Sequence, residues 1–271
     1  KGKVTPNGGL YISMAHLGPE KVARNFKGMV ERCADCGFDL AGGLVEVVPT
    51  AHYMMGGVEF GLDCTTELAG LFVAGEDAGG VHGANRLGGN GVANSTVFGA
   101  VAGDTMAAWV KKESGLREPD QAAIVAAVER CEPKTTGAHG SLEPLRERLY
   151  EVMWEKVGII RNAAGLHAAL AELQAIQGEL QAARIADANR AFNLTWHDWL
   201  NLRSLAEVSK AIAQAALARE DSRGAHFRED YPAAGALERS AYSSVRAAGE
   251  RLEVSMKPVA FTRVKPGETL L

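Results

Sequence analysis

The sequence predicts an α/β segment followed by an all-α segment. Three observations carry that prediction. Short apolar runs, Leu44–Val48, Val58–Leu62 and Gly70–Gly75, are bounded by glycine or proline, as buried strands are. The glycine-rich stretch Val81–Phe98 follows the last of these runs and leads into the proline-free stretch Val92–Val110, which suits a helix packed tightly against that strand. From about Pro119 glycine becomes sparse, alanine, leucine, glutamate and arginine take over, and leucines recur at helical spacing.

Taken in order, Gly8–Ser13 reads as a strand-like piece, and Pro19 followed by Glu20 reads as a helix start with Val22, Phe26, Met29 and Val30 on one apolar face. Gly37 and Gly42-Gly43 end that helix. Leu44–Val48 is β-branched and stops at Pro49, and Val58–Leu62 offers a second strand after the turn at Gly56-Gly57, with His52 in the loop between them. The run to Gly75 ends in Glu76-Asp77, as expected of a strand that delivers polar groups to a ligand crevice. In the later half, Leu142 to Met153 behind Ser141, then Leu166 to Leu180, then Trp199 to Ile212 mark three helices of a small bundle. Thr195-Trp-His-Asp198 has capping-box spacing at the start of the third. Trp154, Trp196 and Trp199 are expected in the bundle core, and the tail holds one extended piece, Pro258–Val264.

Composition narrows the function classes. With 46% hydrophobic residues in 271, the chain has material for a packed core. A net charge of -4 offers no basic surplus for a phosphate backbone, so nucleic acid is not an expected partner. No apolar run approaches the roughly 20 residues of a membrane span, so a membrane link is expected only through a partner. Cys33, Cys36, Cys64 and Cys131 form no disulfide framework, and Cys33-x-x-Cys36 lacks the partners of a zinc site, so no metal is expected and a reducing, cytoplasmic compartment is the simpler reading.

Three motifs carry a resemblance. Arg86-Leu-Gly-Gly-Asn90, preceded by Gly75-Glu76 and His82-Gly-Ala-Asn85, resembles the carboxyl-terminal flavin loop of the succinate dehydrogenase and fumarate reductase flavoprotein family. Pro49-Thr-Ala-His52-Tyr-Met-Met-Gly56-Gly57 is similar to the family's substrate-histidine motif, and Arg219 to Pro232 resembles its signature after the helical domain. The resemblance implies the C-terminal part of a Rossmann-like FAD-binding domain with the end of a capping domain, followed by the three-helix bundle. Residues 1–43 would end the capping domain, 44–115 belong to the FAD-binding domain, 116–230 form the helical domain and 231–271 the tail. The nucleotide-binding G-x-G-x-x-G is not in the sequence, which begins at Lys1, so the chain is expected to be the later half of a longer flavoprotein and to need its N-terminal half.

The same resemblance assigns roles. Arg86, whose rigid fork matches a carboxylate in a bidentate pair, and His52 would bind a dicarboxylate such as succinate or fumarate. Glu76 would hold the FAD ribose, and Gly91 and Val92 would give backbone contacts at the positive end of the helix they open. The catalytic acid/base, an arginine of the capping domain, is expected upstream. Electrons would pass to an iron-sulfur subunit, with the complex peripheral at the inner face of the membrane through its partners. L-aspartate oxidase shares the histidine and arginine motifs, although Gly88-Gly89 leans toward the dehydrogenase and reductase branch, and a docking half without catalysis is the alternative from another class. Arg223, His226, Arg228 and Asp230 read either as a solvated charged turn or as a buried polar network tying the bundle to the flavin-binding part, with Gly224 allowing close approach.

Overall fold

The computed structural model describes residues 4–113, 115, 118–135, 140–249 and 251–268. The chain divides into two compact units, Lys1–Met54 and Met55–Leu271.

In the first unit, strand β1 (Leu10–Ile12) pairs antiparallel with β2 (Val45–Val47), with Leu10 opposite Val47 and Ile12 opposite Val45. Glu46 fixes the register from the neighbouring turn, accepting from the Thr5 hydroxyl and from Asn7 Nδ2 at 2.8 Å. Helices α1 (Pro19–Asn25) and α2 (Lys27–Asp35) cover a small core of Val22, Leu40 and Val45. The sequence reads as one helix here. The structure breaks it at Phe26, whose φ of -124° and ψ of 33° lie off the helical values, so Phe26 and Met29 fall on the exposed side while Val22 is buried.

The second unit begins with an extended strap. The strands expected at Val58–Leu62 and Gly70–Gly75 do not form, because each run finds a partner residue only singly: Val58 bridges Ala78 in parallel and Thr65 bridges Phe72 antiparallel. Apolar composition marked extended chain correctly, but a ladder needs consecutive partners. Helix α3 (Asn90–Lys112) follows the glycine-rich loop, and α4 (Gln121–Cys131) is capped by Asp120, whose Oδ1 accepts from the N–H groups of Ala122 and Ala123 at 3.0 and 3.1 Å.

Three helices build the main core: α5 (Glu143–Val157), α6 (Ala163–Ala182) and α7 (Leu194–Ala218). Leu149, Leu166, Leu173, Ile176, Leu180, Leu202 and Ala206 are fully or nearly fully buried between them, the spacing of one apolar stripe per helix. Asn193 caps α7, accepting from Trp196 N–H at 2.9 Å, which corrects the capping-box reading at Thr195: the amide two residues earlier reaches the first-turn N–H. Trp199 is core, with its Nε1–H on the Leu180 carbonyl at 2.8 Å, and Trp196 packs at its edge. Trp154 is not core; it lies on the outer face of α5 and is 59% exposed.

The tail is an antiparallel hairpin, β3 (Ala241–Ala248) and β4 (Arg251–Pro258), turning at Gly249 with φ 63°. The extended piece expected at Pro258–Val264 therefore lies just past the second strand. Among the described residues no helix is long and apolar enough to cross a membrane.

Candidate functional site

The glycine-rich loop is assembled from backbone contacts. Gly75 turns with φ 87°, and a β-carbon there would stand 3.3 Å from Ser95 Oγ, so the chain passes tightly against the start of α3. Buried Asn94 holds that approach: its Nδ2 donates to the Gly75 carbonyl at 3.0 Å and lies 3.4 Å from His82 Nε2. Glu76 follows on the exposed side. Behind the loop, Val58 N–H donates to the Asp77 carbonyl at 2.7 Å and Gly79 N–H to the Val58 carbonyl at 2.9 Å. At Gly57 a β-carbon would fall 2.2 Å from the Asp77 oxygen, so only glycine fits this crossing.

Arg86 is half-buried at the tip of the loop. Its N–H meets Met55 Sδ at 3.1 Å and its guanidinium reaches the Leu87 carbonyl at 3.4 Å. Gly88 and Gly89 then open α3. Gly89 is the N-cap, left-handed at φ 85°, with no side-chain cap and no acidic residue in the first turn, and a β-carbon on either glycine would meet nothing within 4 Å. Gly91 is half-buried and Val92 is 76% exposed at this open end. Asn90 N–H is taken by the Leu87 carbonyl at 3.2 Å, and the positive end of the 23-residue helix, without a side-chain cap, lies beside an arginine with open space at Gly88 and Gly89. His52 is exposed in the loop after β2, in the first unit, whereas Arg86, Glu76, Gly91 and Val92 all belong to the second.

The segment 219–231 is a polar network, not a solvated turn. Arg228, 1% exposed, donates to both Asp230 oxygens at 2.8 Å and to the carbonyls of Ala216, Leu217 and Arg219 at 2.9–3.1 Å, closing the C-terminal end of α7. Asp230 in turn accepts from Ala163 N–H at 2.9 Å, at the start of α6. The hydrogen bond from Arg228 holds its carboxyl far below the usual carboxylate range. Arg161 closes α5 through the Val157 and Gly158 carbonyls, both at 2.9 Å, and its Nη1 donates to His226 Nδ1 at 2.9 Å. Since guanidinium can only donate, that imidazole nitrogen is the acceptor and the ring is neutral. Burial, followed by the Arg161 charge, pushes the His226 pKa down in agreement. The link to the glycine-rich loop is made by backbone: Ala225 N–H donates to the Ala84 carbonyl at 3.0 Å, and a β-carbon on Gly224 would lie 2.1 Å from the same oxygen. Arg223 turns the other way, onto Ala234, Ala236 and Ser240.

Comparison with known proteins shows the family of the chain. The family profile described as fumarate reductase flavoprotein C-term matches residues 146–270, and that of the FAD binding domain matches residues 2–92. The fumarate reductase flavoprotein subunit of Mycobacterium tuberculosis is 34% identical over 97% of this chain and 47% of its own length. The chain belongs to the succinate dehydrogenase and fumarate reductase flavoprotein family. The FrdA chain of a quinol fumarate reductase variant from Escherichia coli superposes with a TM-score of 0.84 at 29% identity, covering 98% of this chain and 47% of that one. L-aspartate oxidase of Synechocystis is 29% identical over 82% of this chain and 42% of its length. The chain thus spans a little under half the length of these relatives.

FAD is the cofactor that this membership implies, and the residues present fit it. The open cradle at Gly88-Gly89 and the uncapped first turn of α3 offer donors and positive potential to an electron-rich ring edge, with no side chain in the way. Sequence reading missed Arg161, and missed the backbone tie between Ala84 and Ala225. Only Arg161 left a trace, as an arginine just past a helix end, the position from which guanidinium reaches the last carbonyls.

Proposed function

We propose that the chain is the C-terminal part of the flavoprotein subunit of a succinate dehydrogenase or fumarate reductase. In this reading residues 1–43 end the capping domain, 44–115 complete the FAD-binding domain and the helices from residue 116 form the helical domain. Arg86 and His52 are its dicarboxylate ligands, Glu76 holds the ribose of FAD, and Gly91 and Val92 present backbone N–H groups to the ring. The observation that carries the proposal is the placement of Arg86, half-buried beside a start of α3 that has no side-chain cap, on a loop held at Arg86 itself by Met55 and at Ala84 by Ala225.

FAD, when bound, would supply two-electron hydride chemistry. The chain's own residues orient and polarise. The Arg86 fork neutralises one carboxylate and fixes its plane, and the His52 ring adds a donor to the substrate as its charge redistributes. The N-terminal end of α3 would favour negative charge on a group bound there. Electrons leave to an iron-sulfur protein, and the assembly sits peripherally at the inner face of the membrane through anchor subunits.

The test uses the full-length protein that carries this sequence, purified with its flavin. Succinate-dependent reduction of an artificial acceptor, or fumarate reduction by a reduced dye, is the expected activity. Hydrogen peroxide formation with aspartate in place of both would overturn it in favour of the oxidase reading, and flavin-free protein recovered with its partners would favour a docking half.

A further inference from the structure

The strap that follows His52 is gripped from the far end of the sequence. Glu59 accepts from Tyr242 Oη at 3.0 Å, from Ser244 Oγ at 2.9 Å and from Lys257 Nζ at 2.8 and 2.7 Å, so both carboxylate oxygens are held by the β3–β4 hairpin. The Lys257 hydrogen bond, followed by those of the two hydroxyls, keeps the carboxyl below its ordinary range, as a donor-rich cluster should. The hairpin is itself fastened to the bundle: Gln214 Nε2 donates to the Leu252 carbonyl at 3.0 Å and Arg219 to the Ala241 carbonyl at 2.8 Å.

The other side of the strap meets the site. Met55 Sδ receives the Arg86 N–H, Val58 interlocks with Asp77 and Gly79, and Phe60 packs edge-on against Phe98 of α3 at 5.7 Å between ring centroids. We propose that Glu59 is a positioning residue which ties the β3–β4 hairpin to the strap 55–60 and so holds the Arg86 loop in register. The inference rests on the reading of Arg86 as a substrate ligand. A half-exposed ion pair contributes little to global stability, so the consequence of losing it is displacement of the loop and not unfolding. Triple capture of one carboxylate gives geometric definition that a single ion pair lacks.

The experiment compares wild type, Glu59→Gln, Lys257→Met and the exchanged pair Glu59→Lys with Lys257→Glu, all in the full-length, flavin-loaded protein. Hydrogen–deuterium exchange should quicken in residues 55–60 and in 84–89 in both single variants and slow again in the exchanged pair. KM for fumarate or succinate should rise by about two- to fivefold with kcat nearly unchanged, the range an exposed charge network transmits. Faster exchange confined to the hairpin, with 84–89 and KM at wild-type values, would overturn the proposal. So would a joint fall of kcat, flavin content and melting temperature, which would mark Glu59 as merely structural. If the wild type turns over aspartate and not dicarboxylates, the functional reading fails while the exchange data still decide the tie between hairpin and loop.

Discussion

Replacing Gly224 with alanine should detach the glycine-rich loop from the bundle without melting the bundle. Two contributions set the size of the effect. Gly224 has φ 59°, where a β-carbon costs about 1–2 kcal/mol. That carbon would also sit 2.1 Å from the Ala84 oxygen and 2.4 Å from the Ala84 carbonyl carbon, which are backbone atoms and cannot swing away as a side chain can. Parting the segments by roughly 1 Å to reach ordinary contact stretches the Ala225 N–H to Ala84 bond, now 3.0 Å, past useful length and forfeits about 0.5–1.5 kcal/mol. The sum is about 1.5–3.5 kcal/mol, placed wholly on the link. Thermal melting of the full-length protein should be followed by flavin fluorescence and by far-ultraviolet circular dichroism. Flavin release should move down by several degrees while the helical transition stays in place. Coincident curves with wild type would show that the two segments do not meet as described, and an equal loss in both signals would show that the link and the bundle form one cooperative unit.

Arg86→Lys keeps the charge and loses the fork, so kcat/KM for the dicarboxylate should fall by roughly 1.5–3 kcal/mol in activation terms; wild-type kinetics would remove Arg86 from the site. Gly178→Ala lies inside the C-terminal part of α6 with nothing within 4 Å of the added carbon, and should raise bundle stability by about 0.5–1 kcal/mol in a denaturant titration; a loss would point to a crowded face. Arg228→Leu strands Asp230 and three helix-end carbonyls, and should cost about 2–4 kcal/mol in the helical transition itself, unlike Gly224→Ala; a small effect would mean that water replaces the guanidinium. For His226 the folded pKa is lowered, so its contribution to stability is complete above the unfolded value of about 6.5 and is lost as pH falls from there toward the folded value; melting temperatures between pH 5 and 7.5 should show this slope, and its persistence in His226→Gln would assign it to another group.

The parts of the fold legible in the sequence are those fixed locally. Helix α3 begins within two residues of its expected start because Gly88-Gly89 ends the loop before an unbroken helical pattern, and the three bundle helices follow their leucine spacing. What the sequence hid depends on partners. The apolar run at Leu71–Val73 looks like any buried strand, yet whether it forms a ladder depends on which segments lie beside it. The β3–β4 hairpin went unread although Leu252, Val254 and Met256 alternate with Glu253, Ser255 and Lys257 after a turn glycine, the period-2 signal of a half-buried strand. Asn193 outcompetes Thr195 as the cap of α7 for a reason no motif encodes, since its own Nδ2 is anchored on the carbonyls of Asp187 and Asn189.

Hydrogen bonds also separate chemistry from scaffolding among residues of the same types. The loop 219–231 holds arginines, a histidine and aspartates, the inventory of an acid/base site. Their capacity is nevertheless taken up by helix ends: Arg228 closes α7, Asp230 opens α6, and Arg161 closes α5 while fixing His226 as an acceptor. For His226 to gain a proton on Nδ1 it would have to place two cations 2.9 Å apart in a half-buried setting, so the ring serves as a neutral spacer between helices and not as a base. Arg86 differs in that its loop is held through main-chain atoms, by Met55 at its own N–H and by Ala225 at Ala84 two residues before it. A loop fastened by its backbone does not depend on the guanidinium fork for its position. That division of labour is what the proposed dicarboxylate site would require of its scaffold.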